Sequence, residues 1–324
     1  MCTAITTNKR NRLFARNLDV EKSYGQDVII TPRAFTLSFR KSENIQHHCA
    51  MIGAGIIERG YPLYFDGANE HGLAMAGLNF VGNAKYEPPK ENKLNITPFE
   101  FIPYILGKCK SIKDCMLELK HINLTAIPFS KDLALAELHW IIADKTGSIV
   151  VEQTESGLKV YDNPVGVLTN NPPFPFHLEN LNNYIGLSNS EPANTFSPEI
   201  NLAAYSNGMG GLGMPGDLSS ASRFVRATFN KFNSCESMST EEGINQMFHI
   251  LSSTEQCEGA VRIGEEYEKT DYSSVINLDT LTYYYRTYSN SQITAVRLFS
   301  ENLDASSLIS YPFLRKQNVM YQNR

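Results

Sequence analysis

Several things are missing from this chain of 324 residues, and each absence narrows the reading. No apolar run approaches the ~18 residues that a membrane-spanning helix needs, so no membrane partner is expected. No basic run stands out, and with 29 Lys and Arg against 34 Asp and Glu the formal net charge is −5. That balance argues against a nucleic-acid partner. The cysteines (Cys2, Cys49, Cys109, Cys115, Cys235, Cys257) lie far apart without CxxC spacing, and the seven histidines show no metal-ligand spacing. The expectation is a reduced, cytoplasmic protein with no disulfide, no zinc site, no other metal and no cofactor. The adjacent His47 and His48 read as loop. The N-terminus has no charged and apolar signal segment, which leaves removal of Met1 as the only processing expected. No repeat, linker or low-complexity tract breaks the chain, so residues 1–324 read as a single domain with ample length for a sizeable core.

What is there begins at the second residue. Cys2 stands behind the initiator methionine and is small enough for aminopeptidases to remove that methionine. Removal would give Cys2 a free α-amine, and one residue would then carry a nucleophile and a base. An α-amine titrates near ~8, close to working pH, where a general base does best. An N-terminal amine paired with a side-chain nucleophile is one solution to acyl transfer. The alternative is that Cys2 is an ordinary buried thiol. Cys2 to Thr7 alternates and is rich in β-branched residues, so it reads as a strand. Asn8 to Asn11 reads as a polar turn, and Leu13 to Asp19 as the returning strand of a hairpin. Such a hairpin could bring Arg16 and Asp19 back beside Cys2. A guanidinium near a thiol favours the thiolate, and a carboxylate can hold the ammonium. Taken alone, Arg16 and Asp19 also fit a solvated ion pair.

Further strands are expected over 27–31, 34–40, 50–57, 73–80, 138–144, 148–153, 158–161, 165–169, 272–278, 281–288 and 292–299. Asp66 to Gly72 reads as a polar hairpin loop, and Ile122 to Leu135 as an irregular apolar loop. Thr97-Pro98-Phe99-Glu100 and Ser239-Thr240-Glu241-Glu242 are capping boxes that open helices. Ser111 with Asp114 opens another, and Ser219 or Ser220 caps a fourth. Arg223 lies in the first turn of that fourth helix, where a cation opposes the dipole and suggests a compensating partner. Asn79 reads as a turn residue, and Asn170 before Asn171-Pro172-Pro173 as turn chemistry or as a carboxamide donor for an oxyanion. Gly208 to Gly213 spells GxGxxG. The context lacks the preceding strand, the immediate helix and the later acid of a dinucleotide site, so a loop closing on neighbouring backbone fits better. Residues 306–324 read as an extension that could pack on a neighbouring subunit. Antiparallel strand groups separated by helix blocks make the class α+β, with helices outside stacked sheets.

Met1-Cys2-Thr3 followed by Phe14-Ala15-Arg16-Asn17-Leu18-Asp19 resembles the choloylglycine hydrolase family of N-terminal-nucleophile hydrolases, which includes conjugated bile acid hydrolases and penicillin V acylases. The resemblance spans nearly the whole chain. Asn79 matches the asparagine that lines the site in bile acid hydrolases, where penicillin V acylases typically have tyrosine. Asn170 matches the family's oxyanion asparagine, and Arg223 its site arginine. Ala15 departs from the glycine common in the family. The resemblance implies a four-layer αββα sandwich, usually a homotetramer, and hydrolysis of the amide joining a bile acid to glycine or taurine. It implies Cys2, Arg16, Asp19, Asn79, Asn170 and Arg223 as catalytic. It places Leu18, Tyr24, Phe65, Phe129 and Leu133 around the substrate. Two other readings stay open. One is a penicillin V or N-acyl-homoserine lactone acylase with the same mechanism, and the other a catalytically silent binder of apolar ligands.

Overall fold

The computed structural model describes residues 1–8, 10–236 and 239–323. Lys9, in the expected Asn8–Asn11 turn, and Arg324, at the end of the C-terminal segment, lie outside the described residues. The chain opens with strands β1 (Cys2–Thr7), β2 (Leu13–Val20), β3 (Asp27–Thr31) and β4 (Met51–Glu58). Then come β5 (Tyr61–Tyr64), β6 (Asp66–Asn69), β7 (Ala74–Asn79) and β8 (Leu94–Ile96). Helices α1 (Pro98–Lys108) and α2 (Ile112–Glu118) precede β9 (Ile122–Leu124) and the meander β10 (Leu138–Asp144), β11 (Gly147–Thr154) and β12 (Gly157–Asp162). After β13 (Val167–Leu168) follow α3 (Phe174–Asn180), α4 (Ser220–Asn233) and α5 (Thr240–Ser252). The chain closes with β14 (Val261–Ile263), β15 (Glu266–Asn277), β16 (Thr282–Thr287), β17 (Asn290–Arg297) and β18 (Ile309–Pro312).

Among the described residues, two antiparallel sheets carry the fold. One has seven strands in the order β13-β1-β2-β15-β16-β17, with β14 beside β15. The other has nine in the order β12-β11-β10-β7-β6-β4-β3-β18, with β5 beside β4. Helices α4 and α5 cover the outer face of the seven-stranded sheet over β1, β13, β2 and β15, and α1 and α2 cover the nine-stranded sheet over β5, β6, β7, β10 and β11. One apolar core lies between the sheets and under α4 and α5, the other between the nine-stranded sheet and α1 and α2. The result is the expected αββα sandwich. The period of a strand sorts β7 between the two cores. Ala74, Ala76 and Leu78 face the seven-stranded sheet, while Leu73 and Met75 face the helices.

The helix starts agree with their cap chemistry. Glu100 accepts from the Thr97 N–H at 2.9 Å, and Ser219 and Ser239 accept from Ser222 N and Glu242 N. The structure departs from the expected strands in several places, and β5, β8 and β14 are not among those expected. Residues 34–40 are a loop holding a single bridge, Leu37 to Ile45, rather than a strand. Asp66 to Asn69, in the expected polar hairpin loop 66–72, is a fully buried strand, because each polar end finds partners inside. Asp66 accepts from two tyrosines, and the Asn69 amide donates to the Leu106 and Cys109 carbonyls. Part of the 122–135 loop pairs as β9 with β8 in parallel. Residues 309–313 of the C-terminal segment join their own chain: β18 extends the nine-stranded sheet along β3, and Phe313 stacks on Tyr285 at 4.3 Å. In the GxGxxG stretch, Gly210 lies so close to neighbouring backbone that a Cβ would sit 2.0 Å from the Ser190 carbonyl oxygen, as expected of a loop rather than a dinucleotide site.

Candidate active site

The first hairpin sets the site. In the β1–β2 register Cys2 lies opposite Leu18, Thr3 opposite Asn17 and Ala4 opposite Arg16. Paired residues share a face, so Cys2, Ala4, Arg16 and Leu18 point one way and Thr3 and Asn17 the other. The first face looks between the sheets. There Arg16 Nη2 donates to Cys2 Sγ at 3.0 Å and Nη1 to the Phe65 carbonyl at 2.8 Å. The second face looks to the helices, where the Asn17 amide donates to the Leu251 carbonyl of α5. Arg16 is fully buried, and a buried guanidinium needs counter-charge. Burial would lower its pKa, but Tyr272, Cys2, Asp66 and Tyr283 around it raise it.

The end of β13 and the start of α4 bring in the next pair. Cys2 N donates to Asn170 Oδ1 at 2.9 Å, and Arg223 Nη2 donates to the same oxygen at 2.7 Å. With Oδ1 so engaged, the carboxamide nitrogen turns to β7 and donates to the Asn79 carbonyl at 2.7 Å, leaving its second hydrogen for the site. Asn79 therefore meets Asn170 through its backbone, while its side chain is exposed. The N–H of Gly77 donates to Phe65 O. By strand alternation the N–H of Asn79 points off the same edge of β7, past the end of β6. Arg223 also donates to the Cys2 carbonyl at 2.6 Å, to Thr3 Oγ1 at 2.7 Å and, through Nε, to the Leu218 carbonyl at 2.9 Å. These acceptors are the compensation that its place in the first turn of α4 calls for. Its pKa is lowered by burial, against the pull of Asp19 and Cys2.

Asp19 sits on the same side, fully buried, with Arg223 Nη1 3.9 Å away. It accepts from Thr270 Oγ1 at 2.6 Å and from Gln256 Nε2 at 3.3 Å. Burial raises its pKa, against Arg223, the chain's amine and Thr270. The Met1 amine donates to the Asp19 carbonyl at 2.8 Å and pairs with Glu268. Burial lowers the pKa of that amine.

Of the other five expected polar residues, Arg16, Asn170 and Arg223 contact Cys2 directly, Asp19 lies beside Arg223 and the chain's amine, and Asn79 is joined through its backbone to Asn170. The apolar five divide. Leu18 is buried opposite Cys2, and the Tyr24 ring lies tilted against Phe65 with centroids 5.4 Å apart, Phe65 being the residue whose carbonyl holds Arg16. Phe129 packs on Phe99 and Tyr61 with ring centroids at 5.1 and 6.2 Å, under the Arg40 guanidinium. Leu133 is half-buried in the same loop, with its N–H on Ser130 Oγ. Sequence reasoning missed the supporting residues. Ser220 Oγ accepts from the Asn170 N–H, His177 bonds the Asn170 carbonyl, and Asp66, Tyr272, Thr270 and Gln256 hold the two charged groups. None of them carried a signal for this role in the sequence: Asp66 stands in a stretch that reads as a loop, and its tyrosine partner Tyr272 lies 206 residues away. A further group, Cys49, Glu70 and His71, brings three ligand atoms within 4.8 Å of one another. Both Glu70 oxygens already accept from Arg33, and one also accepts from Ala50 N, so this carboxylate is engaged.

This arrangement sets a thiol against a guanidinium and a carboxamide, which suits acyl transfer through a thioester. The family of linear amide C–N hydrolases called the choloylglycine hydrolase family matches residues 2–311. A bile salt hydrolase/transferase of Lactiplantibacillus plantarum is 54% identical over 99% of both chains. A crystal structure of a conjugated bile acid hydrolase from Clostridium perfringens, 36% identical, superposes over all of both chains with a TM-score of 0.92. A penicillin V acylase from Agrobacterium tumefaciens, 18% identical, covers 96% of this chain and 90% of its own with a TM-score of 0.75, a likeness of fold. The chain belongs to the choloylglycine hydrolase family of linear amide C–N hydrolases.

Proposed function

We propose that this enzyme hydrolyses the amide bond of glycine- or taurine-conjugated bile acids, with Cys2 as the nucleophile once Met1 has been removed. The observation that carries this reading is the engagement of Cys2 at both ends: Arg16 on its sulfur, and Asn170 on its nitrogen. The thiolate attacks the amide carbonyl, forming a C–S bond. The oxyanion takes the free hydrogen of Asn170 Nδ2 and the N–H of Asn79. The Cys2 ammonium gives its proton to the leaving nitrogen as the C–N bond breaks. Water then attacks the thioester, and its proton passes to the freed amine. Arg16 stabilises negative charge on sulfur. Arg223 fixes Asn170 and the Cys2 carbonyl, and Asp19 orients the amine. Leu18, Tyr24, Phe65, Phe129 and Leu133 supply the apolar slot for the steroid, at roughly 0.8 kcal/mol per CH2-equivalent buried.

The experiment is a panel of glycocholate, taurocholate and penicillin V on wild type, Cys2→Ser, Phe129→Ala and Leu133→Ala. Both conjugates are cleaved well and penicillin V poorly. Cys2→Ser keeps its fold and loses turnover by several orders of magnitude, while the truncations raise KM for both conjugates alike. Preferred cleavage of penicillin V favours the acylase alternative, and a folded, active Cys2→Ser variant sinks the mechanism. We further propose that residues 1–324 form one catalytic domain and that the enzyme is a cytoplasmic homotetramer. The unpaired cysteines suit a reducing compartment. Self-association is supported by Ile185, Phe196, Tyr205 and Leu212, exposed by 89%, 80%, 85% and 77% along one segment. Light scattering on the purified protein tests the assembly, and a monomer at micromolar concentration overturns it.

A further inference from the structure

We propose that Asp66 is a positioning residue that sets how much of the Arg16 charge reaches Cys2, with Tyr272 holding it back; this rests on Cys2 being the reactive thiol. Asp66 lies opposite Ala76 in the β6–β7 pairing, on the face that looks to the seven-stranded sheet. It is held there by close backbone contact, since a Cβ on Gly53 would lie 2.0 Å from its carbonyl oxygen. Arg16 Nη1 is 3.7 Å from Asp66 Oδ2, too far for a good hydrogen bond but close enough for strong attraction in a dry site. The reason for the gap is that both carboxylate oxygens are engaged. Tyr272 donates to Oδ2 at 2.5 Å and Tyr283 to Oδ1 at 2.8 Å. Both tyrosines are fully buried beside a carboxylate, which keeps them protonated, so they donate without adding charge. Arg16 is left with Phe65 O and Cys2 Sγ as its hydrogen-bond acceptors. Phe65 and Asp66 are consecutive, so one stretch of backbone supplies both the guide and the counter-charge.

This arrangement makes two variants shift the sulfur in opposite directions. Asp66→Asn removes the competing anion, so the buried guanidinium has Cys2 as its nearest counter-charge and the thiolate forms at lower pH. Tyr272→Phe frees Oδ2 to bond Arg16 directly, drawing charge from the sulfur, so the thiolate forms at higher pH. The measurement is the rate of Cys2 alkylation by iodoacetamide against pH, followed by peptide mass spectrometry because Cys235 and Cys257 are exposed. No bile salt is needed, so the result is independent of the substrate assignment. The expected midpoint falls by about half a pH unit or more in Asp66→Asn and rises by a similar amount in Tyr272→Phe. With substrate, kcat falls in both while KM stays within about twofold, as for a change at the reacting atom rather than in binding. A merely structural role would move both midpoints the same way or neither, and either result overturns the proposal. If Asp66→Asn does not fold, the rise in Tyr272→Phe decides alone. Opposite shifts in a protein that cleaves no bile salt leave this inference standing and remove the substrate reading. A Cys2 that never alkylates in any of the three removes both.

Discussion

The two faces of the nine-stranded sheet solve different problems with the same strands. Toward α1 and α2 it presents Met51, Tyr64, Leu73, Met75, Trp140, Ile142 and Val151, a face of large apolar side chains. Toward the other sheet it presents Val28, Ile30, Ile52, Leu78, Ile141 and Val150 interleaved with Ala50, Ala54, Ala68, Ala74, Ala76 and Ala143. The alanines among them leave height between the sheets for Arg16, Asp66, Tyr272 and Tyr283, all fully buried. A core of ordinary bulk would exclude such a network, and a network with unpaired members would be worse than no network. One face therefore serves stability, and the other holds charge in place at the nucleophile.

The largest test of that division pairs two substitutions of similar expected stability loss. Arg16→Met leaves Asp66 buried without its cation, at roughly 3–5 kcal/mol. Trp140→Ala opens a cavity on the other face at a similar 3–5 kcal/mol. Chemical denaturation should find the two comparable, while turnover per folded molecule falls at least about a hundredfold in Arg16→Met only. Adding Asp66→Asn to Arg16→Met should return part of the stability and none of the turnover, because the two residues share one interaction. Equal turnover losses from the two faces would break the comparison.

A gentler version changes volume alone. Ala76→Leu adds bulk opposite Asp66 and should destabilise by about 1–3 kcal/mol, with a loss of turnover. Met75→Leu, one residue away on the other face, should stay under about 1.5 kcal/mol with turnover unchanged. Thermal melts and initial rates on the two proteins read both quantities. A harmless Ala76→Leu would mean that the space between the sheets is not tightly filled.

Parts of this division were legible in the sequence, and the limits are instructive. The β1–β2 hairpin could be read because alternation and a polar turn fix its register, which brings Arg16 to Cys2. The capping boxes at Thr97 and Ser239 could be read because they are local chemistry. Asp66 could not, since an acid beside Gly67 and Asn69 looks like a loop unless the tyrosines some 200 residues later are known to meet it. The same holds for β18, whose partner β3 lies near the opposite end of the chain. Residues 34–40 failed the other way: apolar alternation suggested a strand, but Leu37 is buried against Gly107 without a neighbouring strand to pair with along its length.

The smaller effects concern how α4 is started, since its first turn carries Arg223. Ser219 is its N-cap, and Ser219→Ala should lower stability by about 1 kcal/mol. If the cap also holds Arg223 in register, turnover falls a few-fold in the same variant. Unchanged turnover would confine the cap to stability.

The smallest effect belongs to Asp217, two residues before that cap. Its carboxylate accepts from Ser219 N at 2.9 Å and from Ser222 Oγ at 2.5 Å. These bonds hold its pKa down from the usual carboxylate range to about 2, with Ser219 the main cause. The sign follows from proton counting. Between about pH 4 and pH 2 the unfolded chain binds a proton that the folded chain refuses, so stability falls as pH falls through that window. Above about pH 4 the contribution is fully present and flat. Asp217 is exposed, so the effect is modest and weakens with salt. Denaturant unfolding of wild type and Asp217→Asn should give a constant difference from neutral pH down to about 4 that shrinks toward pH 2. A difference that persists unchanged to pH 2 would mean that the asparagine loses geometry rather than charge, and that the start of α4 depends on the shape of the loop before it.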